Sequence, residues 1–338
     1  MEAGTLALAI AVVAGAAAIA AGLIVLLKPV LVRYLLAHPN ARSSHATATP
    51  QGAGVAVVLA LLIVTVAWWL VWRPAGSVAA LGPVLVGACA LTLLGLADDL
   101  RALPVWWRFL GQALAALLMV FSLPESLRLF PELLPLVVER ALLVLGTVWF
   151  VNAVNFLDGI DWITAAQVVP MTLGVAALQA MGVVPASVGF LALALLGGTL
   201  GFAIFNKHPA RVFLGDAGSL PIGLLLAFML ITVAGTDIAA ALLLALYTIA
   251  DSTLTLLRRL YRREHIFSAH RSHFYQRAVI NGLSPPQVTA RIFVLGLLLA
   301  SLAVATVLTS SPIADILLLA LGAIATGYVL ISLARGAK

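Results

Sequence analysis

Runs of about twenty uncharged, apolar residues recur from one end of this chain to the other, and that feature limits its fold more than any other. Such runs begin near Leu6, Gly54, Val78, Val105, Leu136, Trp162, Pro185, Ser219, Ile238, Val288 and Ile313. At roughly 20 residues per bilayer crossing they predict about ten or eleven transmembrane helices. Several joining segments are only a few residues long, so neighbouring helices must run antiparallel. With 63% hydrophobic and 9% charged residues, the chain cannot cover a water-facing surface, which takes roughly 25% charge in a soluble domain. The predicted fold is an all-α, polytopic integral membrane bundle. It forms one transmembrane domain over residues 1–338, with functional loops near 28–53, 98–104, 157–161, 206–218 and 258–287. The first run, Leu6 to Leu27, reads as a retained anchor. Gly197 and Gly201, four apart, predict close helix packing and no chemistry. The single cysteine, Cys89, lies within an apolar run and offers no disulfide or zinc pattern.

The charges are distributed unevenly between the two sets of loops. Of 19 basic residues, all but Arg73, Arg128 and Arg140 fall in one alternate set or at helix ends beside it. By the positive-inside rule that set is cytoplasmic, with the N-terminus periplasmic and the C-terminus cytoplasmic. The net charge of +6 is then a product of topology, and nucleic acid is excluded as a partner.

The acidic residues carry the functional signal. Asp98, Asp99, Asp158, Asp161 and Asp216 lie at or beside helix ends on that same face. A carboxylate near hydrocarbon costs up to about 3 kcal/mol at a helix centre and less toward the interface. In a chain so poor in charge, five at one face predict a use. Asp98-Asp99 would repel unless a cation or hydrogen-bond donor lies between them. In Asn152 to Asp161, Asn152, Asn155 and Asp158 share a helix face at spacings of three. In Asn206 to Ser219, glycines allow backbone amides near an anion, and Ser219 is expected to open a helix whose N-terminus favours phosphate. Asp216 could there hold a hard cation such as magnesium. The basic loop around His270-Arg271-Ser272-His273 suits a diphosphate. His38 to His45 adds Arg42 and Ser43. Asp251, inside a helix, reads as structural, paired with Arg258 two turns along.

In this order, these motifs resemble those of the polyprenyl-phosphate N-acetylhexosamine-1-phosphate transferases, the glycosyltransferase 4 family, in its bacterial undecaprenyl-phosphate branch. The resemblance runs from the first loop to about Arg277. Asn206 to Ser219 is its most specific part, similar to the family's N-x-x-P-A-x-V-F-x-G-D-x-G-S run. Departures include His38 in place of aspartate, Gln51 to Gly54 in place of a more basic run, and Trp162 where glycine is usual. The last loop lacks consecutive histidines, which places it nearer the branch using simple UDP-N-acetylhexosamines. The resemblance implies transfer of N-acetylhexosamine 1-phosphate from a UDP-sugar to undecaprenyl phosphate with release of UMP. That would be the first membrane step of cell-surface glycan synthesis (O-antigen, exopolysaccharide or similar), at the cytoplasmic face of the bacterial inner membrane. It implies magnesium, with manganese as its substitute, held by Asp216 with Asn155 or Asp158. Asp98, Asp99, Asp158 and Asp161 would be the catalytic carboxylates. Asn152, Asn155, Asn206, Ser219, His270, Arg271, His273, Arg42 and Ser43 would bind substrate. The partners are the UDP-sugar, the lipid phosphate and the bilayer; homodimerisation is left open. The competing class is a secondary transporter with a carboxylate-lined cytoplasmic site. That class predicts acids near the midplane and two related halves, and the sequence has neither.

Overall fold

A computed structural model describes residues 3–37, 48–72, 77–265 and 270–337. His38, Arg42, Ser43 and His45 of the first loop lie outside the described residues. The chain is a multi-pass, all-helical membrane protein. Its helices are α1 (Ala3–Tyr34), α2 (Gly54–Trp72), α3 (Ser77–Leu100), α4 (Val105–Phe121), α5 (Leu136–Phe156), α6 (Ile163–Ala180), α7 (Ala186–Ala203), α8 (Asp216–Ala234), α9 (Ile238–Tyr261), α10 (Phe274–Ile280), α11 (Pro285–Thr309) and α12 (Pro312–Arg335). Among the described residues, 10 helices are long and apolar enough to cross a bilayer, and α4 is a shorter apolar helix. Every apolar run picked out above is a helix.

Three boundaries differ from expectation. The first loop is narrower, because α1 continues to Tyr34 and a two-residue antiparallel ladder, β1 (Leu36–Ala37) with β2 (Thr49–Pro50), closes its neck. The last loop contains α10. Helix α8 starts at Asp216, not Ser219.

Helix α8 is the hub. Its residues from Ala217 to Val233 are all buried, and it packs against α3, α5, α2 and α9. A helix apolar on every side has no lipid-facing stripe and belongs in the interior. By contrast α12 is largely exposed, as suits a helix against lipid. Gly197 and Gly201 of α7 lie against α1, where added Cβ atoms would come 2.4 Å from the carbonyl oxygens of Val13 and Ala17. The close-packing reading of that glycine pair holds.

Away from the carboxylates, the opposite end of α4 is clamped to α5. The buried Arg140 guanidinium donates to the carbonyls of Val120 (3.2 Å), Pro124 (2.6 Å) and Leu127 (3.2 Å). Beside it, Glu139 accepts from Arg128 Nε at 3.0 Å and from Leu129 N at 2.7 Å. The Arg140 bonds satisfy a carbonyl in the last turn of α4 and two in the segment that follows it. They also fix the register of α4 against α5, and so the position of the first turn of α4 at the other face.

Candidate active site

The C-terminal ends of α3 and α5 meet the N-terminal ends of α4 and α8. Gly215, just before α8, has φ +74° and no side chain with which to cap the helix. A Cβ on it would come 2.3 Å from Asp99 Oδ2. Asp99 of α3 caps α8 instead: Oδ1 accepts from Asp216 N at 3.0 Å and Oδ2 from Ala217 N at 3.1 Å. Capping by a carboxylate suits the positive end of a helix dipole, and it explains why α8 begins three residues before Ser219. Asp98 points elsewhere. Its Oδ1 accepts from Leu103 N at 2.7 Å, and its Oδ2 lies 3.3 Å from Arg108 Nη1. The adjacent carboxylates thus have separate donors, which is how the pair avoids mutual repulsion.

Arg108, in the first turn of α4, bridges two of the acids. Its Nη2 lies 2.8 Å from Asp216 Oδ2. The other Asp216 oxygen accepts from Asn155 Nδ2 at 2.8 Å, and the same amide reaches Ser219 Oγ at 2.8 Å. Asp158 lies just beyond α5 and accepts a hydrogen bond from the Thr164 hydroxyl. Burial pushes its carboxyl up to about 8; the charges of Asp216 and Asp99 add to that, and the Thr164 bond opposes it. Asp98, Asp99, Asn155, Asp216 and Ser219 therefore form one cluster, with Asp158 within electrostatic reach.

The structure gives other expected residues different partners. Asn152 Nδ2 donates to Gln112 Oε1 (2.5 Å) and Val148 O (2.8 Å), deeper between α4 and α5. Asp161 Oδ2 meets His208 Nδ1 at 2.7 Å and accepts from Ala210 N at 3.1 Å. Asn206 accepts from Trp162 N at 2.7 Å and donates to Val212 O at 3.0 Å. Asp161 and Asn206 thus tie the segment before α8 to the turn before α6. Trp162 has φ +67°, a left-handed conformation that disfavours a side chain by about 1–2 kcal/mol. Here its indole donates to Ala203 O at 2.7 Å.

The last loop docks through Asp251, which is fully buried in α9. Its carboxylate accepts from Tyr247 OH (3.1 Å), Thr255 Oγ1 (3.3 Å) and Phe274 N (3.1 Å), and it meets His273 Nδ1 at 3.1 Å. The expected pairing with Arg258 is replaced by these, because residues seven apart on a helix lie about 10 Å apart along its axis. Paired through Nδ1, His273 keeps Nε2 for another partner. His270 stacks on His273 at 5.0 Å between ring centroids. Ser272 places its N–H 3.4 Å and its hydroxyl 2.9 Å from His270 Nδ1, so that nitrogen accepts and Nε2 carries the proton. Burial, then His273 and Arg259, lowers His270 to about 4; it is neutral at physiological pH. Arg271 is half-buried and its Nε has no partner among the described residues. Tyr275, fully buried, donates to Phe156 O at 3.0 Å and joins this loop to the end of α5. A Cβ at Gly159 would come 2.1 Å from the Tyr275 hydroxyl, so a larger residue there must displace that side chain.

Two side chains of this arrangement have partners that the sequence reading does not give them. Arg108 was counted as topology, although a loop of four residues folds α4 back beside Asp98. Asp251 was given the wrong partner.

The donors proposed for a metal, Asp216, Asn155 and Asp158, offer only carboxylate and amide oxygens, the hard donors magnesium prefers. Among the described residues no three His, Cys, Asp or Glu side chains form a ready-made cage. Magnesium fits without one, since it takes one or two protein carboxylates and fills its shell with water and substrate oxygens.

A family model described as glycosyl transferase family 4 matches residues 81–234. The chain is 31% identical over 291 residues to a decaprenyl-phosphate N-acetylglucosaminephosphotransferase of Mycobacterium leprae (strain TN), covering 76% of this chain and 73% of that protein. It is 27% identical over 271 residues to a probable undecaprenyl-phosphate N-acetylglucosaminyl 1-phosphate transferase of Bacillus subtilis (strain 168), again over 76% and 73%. A phospho-N-acetylmuramoyl-pentapeptide-transferase of Lactiplantibacillus plantarum is 28% identical over 225 residues, 58% of this chain and 68% of that one.

Proposed function

The chain belongs to glycosyl transferase family 4, and from that membership and the site geometry we propose that it transfers an N-acetylhexosamine 1-phosphate from a UDP-sugar to undecaprenyl phosphate. Phosphosugar transfer is the activity its relatives share. The observation that carries the finer reading is the convergence of Asp98, Asp99, Asp216, Asn155 and Arg108 at four helix ends on one face. A lipid acceptor embedded in the bilayer and a water-soluble donor can meet only at such an interface. We place this face toward the cytoplasm of a bacterial inner membrane, in accord with the basic loops, and the reaction at the first membrane step of cell-surface glycan synthesis.

In this reading an oxygen of the lipid phosphate bonds to the sugar-linked phosphorus. The phosphoanhydride bond to the uridine-linked phosphate breaks, and UMP leaves with the electron pair. The lipid phosphate, with a second pKa of about 6, is already largely ionised at neutral pH, so no side chain need take its proton. Both oxygens of Asp99 are engaged by backbone amides, and its role is to hold Asp216 in place. Magnesium, or manganese in its place, would be held by Asp216 with Asn155 Oδ1 and Asp158, and would neutralise charge on the diphosphate. The chain supplies positioning and charge, the main demands of phosphoryl transfer. Asp98 steadies Arg108. His270, Arg271 and His273 hold the donor phosphates, with His273 oriented by Asp251. The choice of a simple N-acetylhexosamine rests on the relatives that use N-acetylglucosamine and on the single, separated histidines of the last loop.

The test is UMP release by purified protein in detergent, with undecaprenyl phosphate, magnesium and a panel of UDP-N-acetylhexosamines. UMP formation that requires both lipid and metal, and that Asp216→Asn abolishes, supports the reading. Folded protein that binds UDP-sugars yet releases no UMP with any donor would overturn it.

A further inference from the structure

Arg108 occupies an unusual place. It stands between two carboxylates of the cluster, 3.3 Å from Asp98 and 2.8 Å from Asp216, and its side chain retains 26% exposure. It sits where positive charge is needed, and the oxygen it holds belongs to the aspartate read above as the metal's main ligand. A bridging guanidinium satisfies two carboxylates with planar, directed bonds. A divalent cation would meet the same demand with twice the charge. A metal on Asp216 Oδ2 would stand close beside the guanidinium that now holds that oxygen, where two like charges repel strongly. The other Asp216 oxygen accepts from the neutral amide of Asn155, so of these two donors only the guanidinium opposes an entering metal by its charge. Of the two, the guanidinium has the other possible partner: a phosphate oxygen arriving with substrate.

We propose that Arg108 is a built-in counter-cation of the resting site, which gives up Asp216 when a divalent metal binds and then holds a substrate phosphate. The proposal rests on the reading of Asp216 as a metal ligand. It carries a signature of opposite signs. Removing the guanidinium removes a competitor for the metal, so metal binds more tightly. It also removes an anion partner, so nucleotide binds more weakly. A residue that merely shaped the site would weaken both when lost.

The experiment uses full-length protein in detergent, with Mn2+ binding followed by electron paramagnetic resonance and UMP binding to the Mn2+-loaded protein followed by calorimetry. Arg108→Gln is expected to tighten Mn2+ binding about tenfold, in line with losing a close like charge, and to weaken UMP binding by about the same factor. Arg108→Lys keeps the charge but lacks the planar fork that spans both carboxylates; it should fall between, and it serves if the glutamine variant does not fold. Unchanged or weaker Mn2+ binding in the arginine variants overturns the proposal. Asp216→Asn separates the underlying reading: if it binds Mn2+ as wild type does, or if wild type binds none, the assignment of Asp216 fails and the proposal falls with it.

Discussion

Asp99 and Asp216 are bound to each other through main chain and side chain: the carboxylate of Asp99 caps the helix whose first residue is Asp216. The bond crosses 117 positions of sequence. It makes the placement of one acid depend on another, and the consequence can be measured. Asp99→Asn offers one acceptor oxygen where two are used. We expect loss of activity of about 100-fold, the scale associated with a misplacement of about 1 Å. The lost cap should lower stability by only about 1 kcal/mol. Phosphosugar transfer and thermal unfolding in detergent report the two effects. Full activity in this variant would show that Asp99 does not position Asp216.

Asp158 links the site to pH. Its folded-state carboxyl, near 8, lies above the unfolded value of about 3.9. The folded protein therefore keeps a proton that the unfolded chain releases, and stability from this group declines as pH rises from about 4 to 8. In metal-free protein, Asp158→Asn should unfold at the same temperature as wild type at pH 4 and at a higher one at pH 8. The difference should be roughly 1–3 kcal/mol once partial exposure is discounted. Thermal scans in EDTA across that range test this; parallel curves would contradict it.

Gly159 and Tyr275 share one space. Gly159→Ala should cost about 1–3 kcal/mol of stability, typical of overpacking, together with most of the activity. The nearest obstruction is the phenol oxygen, at 2.1 Å, with the ring carbon that bears it 3.1 Å away. Tyr275→Phe in the same chain should then restore part of the stability. If the double variant is no better than Gly159→Ala alone, the clash is not with that hydroxyl.

The pair Asp251 and His273 is open to a double-mutant cycle. His273→Ala should raise KM for the UDP-sugar about tenfold or more with a smaller change in kcat. Asp251→Asn should do the same, at an added stability cost of about 2–4 kcal/mol, because an amide would turn N–H groups toward donors that now face an anion. The double variant should have a KM close to that of His273→Ala. Additive effects on KM would show that Asp251 does not act through the histidine.

The sequence disclosed the helices because each apolar run is a local property, long enough to be read without its neighbours. It disclosed the acids of the site because charge is rare in this chain and those acids lie at run ends. Relations between segments were not legible in the same way. The face expected from Asn152, Asn155 and Asp158 assumes one continuous helix; α5 ends at Phe156, so Asp158 turns to Thr164, while Asn152, still helical, is taken up by Gln112 of the neighbouring α4. The partner of Asp251 had to be guessed within its own helix, whereas the real one arrives from the last loop. Arg108 was hidden by the abundance of basic residues on its face, most of which mark orientation.

The buried anchor of the last loop has a consequence for how these proteins can diversify. Tyr247, Asp251, Thr255, His273 and Phe274 come from one continuous stretch, and all of it lies beyond residue 234, where the match to the family model stops. The histidine-bearing loop therefore shares a segment with much of its foundation, while Tyr275 still fastens it to Phe156 O of α5. Transplanted between relatives as a single cassette of α9 and the loop, it would bring its buried carboxylate along, and the recipient would have to supply the α5 carbonyl and the glycine that Tyr275 meets. If that loop holds the donor as proposed, donor choice could vary in one part of the gene while the acidic cluster stayed fixed in another.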